Sequence, residues 1–301
     1  MKNIMNLALV NYQTIWGDKE ANLKRIADYC EEAGKRGADM IVFPETALTG
    51  YGNDVGKEWK DKMHVRLAEP IPGPATNTLA VYAKKYEMFI IVGMAELGDD
   101  GKVYNSAAII YPDGKTDKYR KLHLPFDECE WAVPGDKPVL IDTDWGPIGI
   151  SICYDTYCFP ELTRYYRSMG ARMSLNVTAC PDAPCTSGSY RIALPALAFI
   201  NYMYIATANI AGPEHGAFFH GGSAVVGPSK TGGDIETYLG IPYPEKDCDK
   251  AGMRFGTIDL GLPDIYGQIP VFAPNAQGKR DWRGDLYAKM FLESEDAFNK
   301  K

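Results

Sequence analysis

Gly149-Ile150-Ser151-Ile152-Cys153-Tyr154-Asp155, followed shortly by Phe159-Pro160-Glu161, reads as a short apolar strand that releases a thiol into a turn before a helix. A side chain held there stands at the carboxyl end of a strand, open to substrate, with backbone N–H groups of the next turn available to an anion. A cysteine taken alone is more often a small apolar packing group than a nucleophile. Two other segments reverse that reading. Ile41-Val42-Phe43-Pro44-Glu45 is an apolar strand with a carboxylate at its exit, suited to a general base. Lys118-Tyr119-Arg120-Lys121-Leu122-His123-Leu124 is an alternating basic stretch that aims an ammonium inward. Taken singly, Glu45 is a solvated strand-end charge and Lys121 a wet surface lysine. With Cys153 they supply a carboxylate, an ammonium and a thiol, the parts that acyl transfer requires.

The bulk properties narrow the class. With 46% hydrophobic and 24% charged residues in 301, the chain can bury a large core and carries no signature of disorder. A formal charge of -7 argues against nonspecific nucleic-acid binding, which needs clustered Lys and Arg; the basic run from Lys115 to Lys121 is too short to reverse it. No stretch is apolar and long enough to span a membrane, and the start, Met1-Lys2-Asn3-Ile4, lacks the features of a secretory signal. Seven cysteines, an odd number, then point to reduced thiols and a cytoplasmic address.

Periodicity predicts strands at Ile4 to Asn11, Met40 to Phe43, Phe89 to Met94, Tyr104 to Tyr111, Ile148 to Ile152, Met173 to Asn176, Tyr204 to Ala208, Ser223 to Val226 and Arg254 to Asp259. Helices are predicted at Lys19 to Arg36, Pro74 to Lys85, Pro160 to Met169 and Ser189 to Ile200. The alternation is that of an α/β protein with buried sheets covered by helices. No repeat or linker divides the chain, so residues 1–301 are read as one domain. Ile241-Pro242-Tyr243-Pro244-Glu245 and the tail after about Tyr287 are the candidates for excursions from it.

Rival constellations are weaker. Cys180 and Cys185 with His215 and His220 superficially resemble four zinc ligands, but their spacings fit structural zinc patterns poorly, and no metal is expected. Cys153 with any of the four histidines makes a papain-like pair without a supporting local signature. Gly221-Gly222-Ser223 and Gly227-Pro228-Ser229 lack the Gly-Lys ending of a phosphate loop and read as turns.

With these residues in view, the chain resembles the nitrilase superfamily of carbon–nitrogen hydrolases from its first strand to about Tyr287. Glu45 in Phe-Pro-Glu is similar to the family's general base, Lys121 in Tyr-Arg-Lys-Leu-His-Leu to its catalytic lysine, and Cys153 in Ile-Cys-Tyr-Asp to its nucleophile. Glu128 fits the family's second glutamate, with Glu130 as the rival. The resemblance implies a four-layer α-β-β-α sandwich, no cofactor, and a homodimer or larger homo-oligomer. One departure stands out: where relatives often carry Arg-Ala-x-Glu-Asn, this chain reads Leu197-Ala198-Phe199-Ile200-Asn201, a segment associated with packing and subunit contacts.

The implied reaction is hydrolysis of a small amide, releasing ammonia through a cysteine thioester. Lys121 and the Tyr154 backbone N–H would hold the oxyanion, and Glu128 would orient Lys121 or the incoming water. Tyr51, Trp131, Tyr154 and Thr178 are the expected pocket walls. Tyr154-Asp155 replaces the Trp-Glu that usually follows the nucleophile in true nitrilases. The arginine that follows closely in several acid-binding relatives is replaced by Thr156-Tyr157-Cys158, although Arg191 could still supply a charge. A neutral amide is therefore expected ahead of an acid-bearing one. An N-carbamoyl compound is the alternative, with nitrile hydrolysis and a non-catalytic binding role behind it.

Overall fold

The computed structural model describes residues 1–183, 186–231, 233–266, 271 and 273–299. The strands are β1 (Ile4–Asn11), β2 (Met40–Val42), β3 (Phe89–Leu97), β4 (Val103–Ile110), β5 (Thr116–Arg120), β6 (Val139–Ile141), β7 (Ile148–Ile152), β8 (Met173–Thr178), β9 (Tyr204–Asn209), β10 (Ala211–Glu214), β11 (Ala217–His220), β12 (Ala224–Pro228), β13 (Ile235–Gly240) and β14 (Gly252–Asp259). The α-helices are α1 (Lys19–Lys35), α2 (Met63–Leu67), α3 (Pro74–Tyr86), α4 (Tyr154–Cys158), α5 (Pro160–Ser168), α6 (Leu194–Asn201) and α7 (Gly284–Asn299).

Two six-stranded sheets form, ordered β14-β1-β2-β3-β4-β5 and β13-β12-β9-β8-β7-β6. Their centres are parallel, β1-β2-β3 in one and β7-β8-β9 in the other. The period-2 alternation of each strand explains the layering. Leu7 and Leu9 of β1 join Ile148, Ile150 and Ile152 of β7 and Met173, Leu175 and Val177 of β8 in one core between the sheets. Ala8 and Val10 face the other way, against Ile26 and Cys30 of α1 and Leu79 and Ala83 of α3. On the second sheet Ile205 and Val226 pack outward on Tyr166 of α5 and Leu197 and Ala198 of α6. The result is helix, sheet, sheet, helix, the expected four-layer α-β-β-α sandwich.

Several expectations need correcting. The helix expected from Ser189 to Ile200 opens as a π-helical turn, Ser189–Ala193, before α6. β6, β10 and β11 were not foreseen because they are only three or four residues long, β5 because three of its five residues are charged, and β13 because none of its residues is buried and its sequence shows no alternation. β8 runs on to Thr178, and the strand expected from Ser223 begins one residue later, at Ala224. Gly221 and Gly222 are turn glycines, with φ of 64° and 79°. The expected tail is a helix, α7, none of whose residues is buried. No helix among the described residues is long and apolar enough to cross a membrane.

Candidate active site

The carboxyl ends of the parallel strands converge. Glu45 follows β2, Lys121 follows β5 directly, Cys153 follows β7, and Thr178 and Asn209 end β8 and β9. The local backbone at Cys153 is unusual, with φ 51° and ψ -105°, a positive φ that non-glycine residues seldom adopt. Its own N–H still reaches back to the Val177 carbonyl at 3.0 Å, tying the turn to β8. Cys153 keeps 9% of its surface exposed, whereas Glu45 and Lys121 keep none.

Lys121 Nζ donates to Glu45 Oε1 at 2.8 Å and to Glu128 Oε2 at 2.7 Å. Asn105 Nδ2, from β4, donates to the same Glu45 oxygen, Oε1, and to the oxygen of Glu128 that Lys121 leaves free, Oε1, both at 2.7 Å. The other oxygen of Glu45 accepts the Ala179 N–H at 2.8 Å. Two carboxylates therefore share one ammonium and one amide in a water-poor site. Burial alone would discharge the lysine, but Glu45 and Glu128 outweigh it and hold Lys121 well above its ordinary range. Burial, reinforced by the Glu45 charge, lifts Glu128 to about 7 against the pull of Lys121. Burial and the neighbouring Glu45 charge raise the Cys153 thiol well above its ordinary value, against Lys121. Cys153 thus rests as a thiol, which a base would have to ionise before it could attack.

Glu128 and not Glu130 is the carboxylate on Lys121; Glu130 is exposed and pairs with Lys62 at 2.6 Å. Tyr51 donates its hydroxyl to Glu128 Oε2 at 3.4 Å, and Thr178 Oγ1 accepts the Tyr157 hydroxyl at 2.9 Å. Trp131 is 2% exposed and stacks on His64 with ring centroids 4.2 Å apart, so it packs the turn that carries Glu128. The Tyr154 ring leans edge-on against Phe159, while its N–H, the first of α4, has no intrahelical acceptor.

Three contributors were missed in the sequence. Asn105 sits inside an ordinary apolar strand, where nothing local marks it. Asp155 accepts from Tyr119 Oη (2.6 Å) and from the Leu122 and His123 N–H groups (3.1 and 2.9 Å), joining the nucleophile helix to the lysine segment. Glu214 on β10 accepts the Tyr51 and Gly52 N–H groups, each at 2.8 Å, and the Thr14 hydroxyl. Only the carboxylate after the nucleophile lay in a segment already singled out. Among the described residues no His, Cys, Asp and Glu cluster could hold a metal ion; Cys185 lies outside them.

A two-sheet sandwich with a thiol, a carboxylate and a buried ammonium at its strand ends is the arrangement of a hydrolase. The chain belongs to the carbon–nitrogen hydrolase family, whose model matches residues 6–230. It is 32% identical to the omega-amidase NIT2 of Bos taurus, across 93% of this chain and 96% of that one. Among solved structures, Nit3 of Saccharomyces cerevisiae, a member of branch 10 of the nitrilase superfamily, superposes with a TM-score of 0.74. Its identity is 26%, covering 89% of this chain and 94% of Nit3. An amidase from Nesterenkonia sp. shares the fold with a TM-score of 0.74 at 22% identity, over 96% of this chain and 97% of its own.

Proposed function

We propose that the protein hydrolyses small primary amides through a Cys153 thioester. The observation that carries this is the single ammonium of Lys121 held between two buried carboxylates beside a thiol that rests protonated. Glu45 takes the thiol proton, and the sulfur attacks the amide carbonyl. Lys121 and the Tyr154 N–H receive the oxyanion. The carbon–nitrogen bond breaks as Glu45 returns its proton to nitrogen, and ammonia leaves. Water then gives a proton to Glu45, attacks the thioester and releases the acid, and the thiolate is reprotonated. Glu128 keeps Lys121 charged and aimed.

The relatives named omega-amidase support amide hydrolysis, although that branch is among those expected to meet a substrate carboxylate with a cation. A neutral acyl group agrees with the side chains near the nucleophile. Tyr157 stands four residues after Cys153, and its hydroxyl is engaged with Thr178 at 2.9 Å and Asn176 at 3.0 Å. Arg164 is turned to the Ile200 carbonyl at 2.9 Å, and Arg191 is exposed on the π-helical turn. Self-association through α5 and α6 is supported by exposed Tyr165, Met169, Phe199 and Ile200 on adjoining helices. The odd cysteine count supports a cytoplasmic address.

The test is ammonia release from matched panels of primary amides, N-carbamoyl amino acids and nitriles. Neutral amides are expected to give the highest kcat/KM. A preference of about tenfold or more for the carboxylate-bearing set, equivalent to about 1.4 kcal/mol, would point to an unrecognised cation instead.

A further inference from the structure

His220 closes β11 and is 2% exposed. The groups around its Nδ1 bear on its tautomer. Asn209 Oδ1 accepts the Cys180 N–H at 2.8 Å, so its amide nitrogen is the end that faces the Gly221 carbonyl (2.6 Å) and His220 Nδ1 (3.5 Å). Nδ1 accepts from that amide when the proton of the neutral ring sits on Nε2, whereas the other tautomer would donate to the Gly221 and His220 carbonyls beside it; the Nε2–H form is the one proposed below. Burial, which pushes the imidazole down to about 4, keeps it neutral at ordinary pH. That Nε2 is buried and has no hydrogen-bond partner. An unpaired buried polar atom is costly, and a native structure that keeps one does so at a site of strain or function, or where a water, an ion or a ligand satisfies it.

The surroundings say what kind of ligand. Tyr190 meets the imidazole edge to face at 4.4 Å, and Tyr243 lies against it at 4.3 Å. Tyr190 continues to Tyr157 at 6.0 Å, which stands on α4 four residues after Cys153 and whose hydroxyl binds Thr178. An aromatic strip thus runs from the nucleophile to His220. It reaches an exposed rim where Tyr243 Oη meets Asp182 at 3.3 Å. The residues of the strip between Cys153 and His220 are uncharged, which favours a neutral acceptor over a carboxylate.

We propose that His220 is a specificity-determining residue whose Nε2–H binds a neutral acceptor, such as a ring nitrogen, on a planar aromatic acyl group lying against Tyr157 and Tyr190. The inference rests on the amide-hydrolase reading. Its test separates the two. Kinetics on propionamide, benzamide, pyridine-3-carboxamide and pyridine-4-carboxamide are compared in wild type, His220→Ala and His220→Phe, the last keeping a ring without the donor. Wild type is expected to favour the better pyridine amide over benzamide by about tenfold, the worth of one buried hydrogen bond. Both variants should erase that preference while leaving propionamide within about threefold of wild type, since propionamide does not reach the strip. Absence of the preference in wild type, or an equal loss on all four amides, would overturn the proposal and make His220 a packing group held by an N–H···π contact with Tyr190. If no amide is turned over, the hydrolase reading fails. The subsite is then judged by calorimetric binding of the same pyridine amides and benzamide to wild type and His220→Phe, where loss of the difference in the variant supports it and identical affinities reject it.

Discussion

At Glu128 the chemistry and the stability of the site meet. Its carboxyl is lifted to about 7, above the ordinary 4.5, chiefly by burial. The neutral acid is therefore the form the fold favours. The stability it contributes is complete below pH 4.5 and is lost as pH rises through about 7. Urea midpoints measured across that window should fall with pH in wild type, and Glu128→Gln should flatten the fall; an unchanged slope would remove Glu128 as its source. The ionised form is the one that accepts from Lys121, Asn105 and Tyr51, so kcat/KM should rise through the same ionisation, a limb that Glu128→Gln abolishes. Lys121→Ala removes an oxyanion donor and leaves two buried carboxylates unpaired, and kcat should drop by about 10²- to 10³-fold. Lys121→Arg is not expected to restore it, because the planar guanidinium does not fit between Glu45 and Glu128. Near-normal kcat for the arginine variant would contradict the tight point charge described here.

Among the elements, β3 bears most directly on the base. A Cβ at Gly93 would come within 2.3 Å of the Pro44 carbonyl and 2.6 Å of Glu45 Cα. Gly93→Ala should thus push the Glu45 turn from its place, at a cost of about 1–3 kcal/mol in stability and with a loss of kcat larger than stability explains. Retained kcat with a full drop in stability would show that the turn moves freely. The same elements show what was legible beforehand. Cys153, Glu45 and Lys121 each follow a strand whose apolar or alternating pattern is local, so their positions at strand ends could be read. Asn105 could not, because its partners Glu45 and Glu128 are 60 and 23 residues away. Glu214 was hidden for the same reason, reaching Tyr51 across 163 residues from a hairpin too short to carry a periodic signal. The π-helical turn before α6 was also beyond reach, since it follows from packing on the second sheet more than from composition.

For the whole molecule, the apolar outer faces of α5 and α6 and of the unburied α7 remain uncovered within one chain. Pairing through α5 and α6 would cover Phe199 and Ile200, which are 40% and 46% exposed. Light scattering at micromolar concentration should give a dimer or larger species for wild type and a smaller one for Phe199→Asp with Ile200→Asp. A wild-type monomer would count against it. The central claim, however, is that the acyl group passes through Cys153. Acid-quenching the enzyme during turnover of a slow amide, then mapping the adduct by peptide mass spectrometry, tests it directly. An acyl mass on the Cys153 peptide, together with full loss of turnover in a folded Cys153→Ala variant, is the expected result. An adduct on Cys158 or Cys180, or ammonia release by Cys153→Ala, would contradict it.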